Sequence, residues 1–409
     1  MTDIQLVYDA MSIRGVATVA DMGLEIHHSS LRGLKAVSED RIVIEKCESG
    51  VLIAVLDGHY TDELSDYAAK VLPRQLCDRI SRTSCDAADF SASVERAFIE
   101  GIEEFDASLL DDVLKHFPQG PDTDWDDPLW DDRGEVYEII GYGKEDPIFC
   151  AVRRTIVGST VIVAFVDKAK RNVWVASLGD SEAGALLVVF LLGRIVDDRL
   201  HCVPVSDLRG VHNPSEVARL QAEHPNEPPV IFDERNLGRL PLTRALGDFP
   251  MKVSLSLTTR ILSSAYPSYL GTNHIEDWTT RGHLNPPYIS STPTVQRHAL
   301  LPGDVLVMAS DGLRLALEDL GAEDAKTQAM IAFALSGAFG PSAAAAKSYA
   351  ERLGHTLEEP PAGDNVADRV IRNALFGADE AKMRDAFAPT HADPNYYRDD
   401  ISVVVVRLS

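Results

Sequence analysis

The sequence predicts an α+β layered fold, because its strand-like and helix-like stretches come in blocks and do not alternate as regular βαβ units. Three observations carry that prediction. Four apolar runs rich in Val, Ile and Leu each bear an aspartate at one end: residues 51–57, 172–180, 304–311 and 399–407. A block with helical spacing lies between the first two runs. The last run returns an acid from the far end of the sequence, so the two ends must meet, and residues 1–409 are expected to form a single domain.

Each element has its own signal. Arg41-Ile-Val-Ile-Glu and Val51-Leu-Ile-Ala-Val-Leu flank Glu48-Ser-Gly50, which reads as two strands around a turn that deliver Asp57 to an exposed end. From Asp62 to about Leu110 the apolar residues Leu64, Tyr67, Ala68, Val71, Leu72, Val94, Ala97, Phe98 and Phe105 recur at helical spacing, predicting two helices on a sheet face. Residues 106–147 are acidic and turn-rich and read as a surface insertion, mostly loop. Strands resume at Thr160–Val166 and Asn172–Ala176, and the apolar stretch Ala183–Val196 reads as two strands around a turn. Asn213 is a plausible N-cap with Pro214 at the first helical position. Residues 250–290 read as an irregular excursion. Helices are expected at Asp324–Leu335, about Ser342–Leu353 and Asn365–Phe376, and a strand at Ile401–Leu408.

Composition excludes several functions. With 45% hydrophobic and 25% charged residues this is an ordinary globular chain. A formal net charge of -24 argues against nucleic acid and against anionic membranes, both of which reward basic surface. No apolar run is long enough for a membrane helix. The acidic N-terminal stretch lacks a secretory or Arg-rich targeting pattern, so a cytoplasmic location is expected, with the mitochondrion as the alternative. Five scattered cysteines predict free thiols in a reduced compartment.

Acids fixed at strand ends form a rim of oxygen ligands. Without nearby His or Cys pairs, such a rim favours hard ions such as Mg²⁺ or Mn²⁺ and hence metal-assisted chemistry on a phosphate. Either Asp57-Gly58 or Asp311-Gly312 alone would more often be a turn. No cysteine is followed six positions later by arginine, and no Gly-rich loop ends in Lys-Ser or Lys-Thr, so cysteine-nucleophile and nucleotide-driven chemistry lack support. The stretch Asp122–Asp126 starts like a calcium loop but has Asp127 where glycine is needed.

Asp57-Gly-His59, Gly158-Ser-Thr160, Gly179-Asp-Ser181, Thr243-Arg-Ala-Leu-Gly-Asp248, Ser310-Asp-Gly-Leu313 and Asp399-Asp-Ile-Ser-Val-Val-Val stand in the order and approximate spacing of the type 2C metal-dependent protein phosphatases, the PPM family. Lys35-Ala-Val-Ser-Glu39-Asp40-Arg41 resembles that family's entry motif, and Val205–Pro225 with Pro286–Val295 resembles its pyruvate dehydrogenase phosphatase branch and fungal relatives. The resemblance implies a four-layer α-β-β-α sandwich with two central, mainly antiparallel sheets. It implies a metal-dependent protein serine/threonine phosphatase in which a hydroxide bridging two Mg²⁺ or Mn²⁺ ions attacks a phosphoserine or phosphothreonine protein. Asp57, the Gly58 carbonyl, Asp311 and Asp399 would be the metal ligands, and Glu39, Asp40, Asp180 and Asp400 would support them from behind. His59 would protonate the leaving group and Lys35 would hold the phosphate.

Four positions depart from the family pattern. Lys35 stands where arginine is usual and forgoes a bidentate phosphate grip. Tyr60, Glu182 and Leu315 replace a glycine, an arginine and an acid, and the loss at Leu315 removes a ligand for a third, weaker metal. These changes raise the alternative of a pseudophosphatase that serves as a binding or regulatory module.

Overall fold

The computed structural model describes residues 3–85, 87–117, 133–141, 146–179, 189–196, 199–204, 211, 213–265, 285–318, 365–387 and 398–408. The strands are β1 (Ser12–Val19), β2 (Leu24–Leu31), β3 (Asp40–Cys47), β4 (Gly50–His59), β5 (Gly158–Asp167), β6 (Asn172–Leu178), β7 (Val189–Val196) and β8 (Arg199–Pro204). They continue with β9 (Ile231–Phe232), β10 (Arg235–Asn236), β11 (Leu246–Gly247), β12 (Thr294–Ala299), β13 (Val305–Ala309) and β14 (Ile401–Arg407). One sheet has the order β1-β2-β14-β13-β7-β8, and the other β12-β6-β5-β4-β3 with β11 added on β5. Every strand pair among the described residues is antiparallel.

The period-2 alternation of the apolar runs builds the layers. In β4, Val51, Ile53 and Val55 enter the core between the sheets, while Leu52, Ala54 and Leu56 face the opposite way. There they pack against α2 (Glu63–Ile80) and α3 (Phe90–Leu114), the two helices expected on this face. In the other sheet, Val404 and Val406 of β14 and Leu306 and Met308 of β13 complete the inter-sheet core. Their alternates Val403, Val405, Val305 and Val307 pack against α8 (Asp311–Glu318), α9 (Val366–Leu375) and Tyr8 of α1 (Asp3–Met11). The result is helix, sheet, sheet, helix, the predicted α+β sandwich. Strands buried on both faces read as continuous apolar runs, which is why β4, β5 and β14 were plain in the sequence.

Several expectations need correction. Residues 106–114 continue α3, because Phe105, Leu109 and Val113 extend the stripe begun by Val94, Phe98 and Ile102. Within the predicted loop, residues 133–140 form α4 (Arg133–Ile140), and α5 (Pro147–Ile156), capped by Asp146, begins at its end. Of the two strands expected within 183–196, the second is β7, which pairs with β8 beyond that stretch, while residues 183–188 lie outside the described residues. Residues 249–251 and 262–265 form short 3₁₀ turns around α7 (Leu255–Arg260) within the expected irregular excursion. Cys47 and Cys77 are joined in a disulfide with Cα atoms 5.2 Å apart, against the expectation of free thiols throughout. The pairing was hidden by a sequence separation of 30, which folding α2 back over the end of β3 closes. The helices expected at 324–335 and 342–353 lie outside the described residues. Asn213 caps α6 (Pro214–Glu223) as expected, and Asn365, expected as the first residue of a helix, is instead the N-cap of α9, each side chain accepting from backbone N–H.

Candidate active site

Asp40 opens β3 and stands opposite Asp57 near the end of β4, so the hairpin register alone sets two carboxylates side by side. The backbone there is held from three directions. Gly58 N donates to the Glu39 carbonyl at 3.2 Å, Ser65 Oγ of α2 donates to the same carbonyl at 2.6 Å, and Ser159 Oγ donates to the Asp57 carbonyl at 3.1 Å.

The second sheet supplies the remaining acids. Asp311 begins α8 immediately after β13, and Asp399 and Asp400 immediately precede β14. Asp400 is buried and organises the preceding loop, its Oδ1 accepting from Gly33 N and its Oδ2 from Glu39 N, both at 2.6 Å. Asp399 Oδ1 lies 3.2 Å from Lys35 Nζ, and the same ammonium binds Glu39 Oε2. Lys35, expected to grip phosphate, therefore bridges two carboxylates of the rim.

Burial dominates this cluster, and mutual repulsion adds to it. Loss of water pushes the Asp57 carboxyl well above its usual range, and Asp311, Asp40 and Asp399 push it further. Burial does the same to Asp40, with Asp400 and Asp311 adding to it and the Ser310 and Ser402 side chains offsetting part. Burial also raises Glu39, against the pull of Lys35. Asp40 Oδ2 is buried with no hydrogen-bond partner among the described residues. An acid-only donor set whose carboxylates outnumber the Lys35 ammonium beside them, with an orphaned oxygen, fits hard divalent cations. Among the described residues no three such side chains are already closed around one point, so the carboxylates would have to adjust to hold an ion.

His59 follows Gly58 at the end of β4, and its Nε2 lies 2.8 Å from Asp248 Oδ2. The sequence contained Asp248 only as the last residue of a motif and gave it no role, since 189 residues separate the pair. Nearby, Arg244 of the same motif forms a bidentate pair with Glu216, at 2.9 Å and 2.8 Å. Asp180 and Glu182 lie outside the described residues. The structure therefore brings Lys35, Glu39, Asp40, Asp57, Asp311, Asp399 and Asp400 to one rim, with Gly58 and His59 continuing β4 from it. Leu315 lies on α8, four residues beyond Asp311.

Residues 145–320 match the family described as Protein phosphatase 2C. The chain is 31% identical over 280 residues to the mitochondrial pyruvate dehydrogenase (acetyl-transferring) phosphatase 1 of Bos taurus, covering 64% of this chain and 49% of that protein. It is 28% identical over 286 residues to a protein phosphatase 2C homolog of Schizosaccharomyces pombe, covering 67% of this chain and 59% of that one. The chain thus spans about half the length of the first of these relatives. A phosphatase crystal structure from a pathogenic strain of Toxoplasma gondii shares the fold, with a TM-score of 0.51 and 16% identity over 97% of this chain and 95% of that one. Among the described residues, no helix is long and apolar enough to cross a membrane.

Proposed function

We propose that this chain, which belongs to the protein phosphatase 2C family and is similar to its pyruvate dehydrogenase phosphatase branch, is a divalent-metal-dependent protein serine/threonine phosphatase working as one unit across residues 1–409. The observation that carries this reading is the meeting of Asp40 and Asp57 from one sheet with Asp311 and Asp399 from the other. Four acids from four strand ends are costly to hold together unless cations neutralise them.

Asp57, the Gly58 carbonyl, Asp311 and Asp399 would hold two Mg²⁺ or Mn²⁺ ions, with Glu39, Asp40 and Asp400 fixing their surroundings and Asp180 as a further candidate. Bound there, the ions would activate water and neutralise charge on the phosphoryl oxygens. Lys35, already seated between Glu39 and Asp399, would pass its point charge to a phosphate oxygen. His59, one residue beyond Gly58, would give a proton to the seryl or threonyl oxygen as its bond to phosphorus breaks.

The substrate class is a phosphoserine or phosphothreonine protein. The Bos taurus relative is named mitochondrial, which makes the mitochondrion the first compartment to test by imaging the full-length chain, with the cytoplasm as the competing outcome.

The test is hydrolysis of a phosphothreonine peptide by purified protein titrated with Mn²⁺ and Mg²⁺. Metal-dependent turnover that chelator abolishes, and that Asp311→Ala or Asp399→Ala lowers by at least about 10³-fold, is expected. A folded protein with no turnover at millimolar metal would overturn the reading and leave a binding module.

A further inference from the structure

We propose that Asp248 is the positioning residue for His59, fixing which nitrogen of the ring faces the substrate. The inference rests on the phosphatase reading and assigns a role to a residue outside the metal-binding and phosphate-binding set. Asp248 Oδ2 lies 2.8 Å from His59 Nε2, and its side chain is only 3% exposed. A carboxylate only accepts hydrogen bonds, so Nε2 carries the proton in this pair and Nδ1 is the nitrogen left for the leaving-group oxygen.

The surrounding fold is built to make this pair. His59 pairs with Gly158 across β4 and β5, and Gly247 pairs with Gly158 from the other side of β5, so three adjacent backbones bring positions 59 and 248 together. A Cβ at Gly158 would collide with His59 Nε2 and Asp248 Oδ2 at once. The glycine of the Gly-Ser-Thr motif is therefore the space in which the two side chains meet. Asp248 itself adopts left-handed backbone angles, φ 50° and ψ 34°, a conformation aspartate tolerates better than most residues. Its N–H donates to the Val157 carbonyl at 3.1 Å. Behind it, the buried Asp106 accepts from Gly247 N and from Lys252 Nζ, each at 2.7 Å, and clamps the strand that carries the motif.

The oxygen of a water forms a bond to phosphorus, and the ester P–O bond breaks with its electron pair on the seryl or threonyl oxygen. That oxygen takes the Nδ1 proton of the doubly protonated ring, which leaves the neutral ring with its remaining hydrogen on Nε2 facing Asp248, and the proton lost by the attacking water returns to Nδ1. Asp248 touches neither phosphorus nor leaving group; it keeps Nδ1 aimed.

The test compares kcat and KM of the full-length Mn²⁺-loaded protein on a phosphothreonine peptide and on 4-nitrophenyl phosphate, whose phenolate leaves with little need of a proton. Asp248→Asn, which suits the left-handed backbone, is expected to lower kcat on the peptide about 10²-fold with KM little changed, and to lower kcat on the aryl phosphate less than about fivefold. His59→Gln should show the same split, and the double variant should be no worse than His59→Gln alone. Equal losses on both substrates, or none on the peptide, would overturn the proposal. A second readout uses metal-free protein: ¹⁵N NMR of the His59 ring should show the Nε2–H tautomer in the wild type and a mixture in Asp248→Ala. An Nδ1–H ring, or a pattern unmoved by Asp248→Ala, would also overturn it. Were the wild type to hydrolyse neither substrate, the phosphatase reading would fall, while the ring tautomer would still decide the Asp248–His59 pair.

Discussion

Asp40 and Asp57 face each other across the β3–β4 hairpin, and the charge of Asp40 raises the affinity of Asp57 for a proton. Two like charges at adjacent register positions cost stability wherever no cation lies between them. Asp57→Asn is therefore expected to raise the thermal stability of the metal-free protein, while abolishing turnover. Scanning calorimetry of chelated protein beside an activity assay checks both halves. A melting temperature that falls in the variant would show that the repulsion is not felt.

Asp400 governs the loop that carries Lys35 and Glu39, through bonds to Gly33 N and Glu39 N. Asp400→Ala leaves both donors without their acceptor, costing about 2–3 kcal/mol, and releases the segment between them. The expected signature is a raised KM for the phosphopeptide and a weakened apparent affinity for Mn²⁺, read from steady-state kinetics across a metal titration. Unchanged values of both would show that the loop is held by other contacts.

Glu216 gives the clearest pH dependence. Burial would raise its carboxyl, but hydrogen bonds and charge from Arg244 and Arg219 outweigh this and lower it from 4.5 to about 2. A depressed carboxylate contributes stability above its unfolded value, and that stability is lost as pH falls through the folded one. The contribution, on the order of 3 kcal/mol, should be complete above about pH 5 and fade towards pH 2. Denaturant melts of wild type and Glu216→Gln should diverge at neutral pH and converge in acid, and a constant gap would refute the assignment.

The disulfide between Cys47 and Cys77 ties the end of β3 to α2 across 30 residues. Under oxidising conditions Cys77→Ser should cost about 3–4 kcal/mol, and a reductant should produce the same loss in the wild type. Intact-mass measurement after thiol alkylation reports directly whether the bond forms.

The sequence revealed what burial writes into it. Val-rich runs buried on both faces announced β4, β5, β13 and β14, and the acids at their ends were found because a charge next to such a run has only the rim to occupy. β1 and β2 were missed because their pattern is diluted: β1 is largely exposed, and β2 carries His27, His28, Ser29 and Ser30 in succession. Those polar groups are satisfied only by tertiary partners, as where Ser29 Oγ and Tyr8 Oη both donate to Asp368. Asp248 was invisible as a partner of His59 for the same reason: no periodicity links positions whose meeting depends on β11 joining β5.

The place of β14 within its sheet has a kinetic consequence. It pairs with β2 on one side and β13 on the other, joining segments that lie near residues 30, 305 and 405. The β3–β4 hairpin, by contrast, closes over a short stretch of chain. Loop closure over such different lengths separates the two sheets in time. The half bearing Asp57 is expected to order early and the half bearing Asp399 last, so a newly made chain passes through an interval in which it holds half of its acids and no completed rim. Pulse-labelled hydrogen exchange should find the amides of β4 protected before those of β14, and simultaneous protection would show that the sheets fold as one.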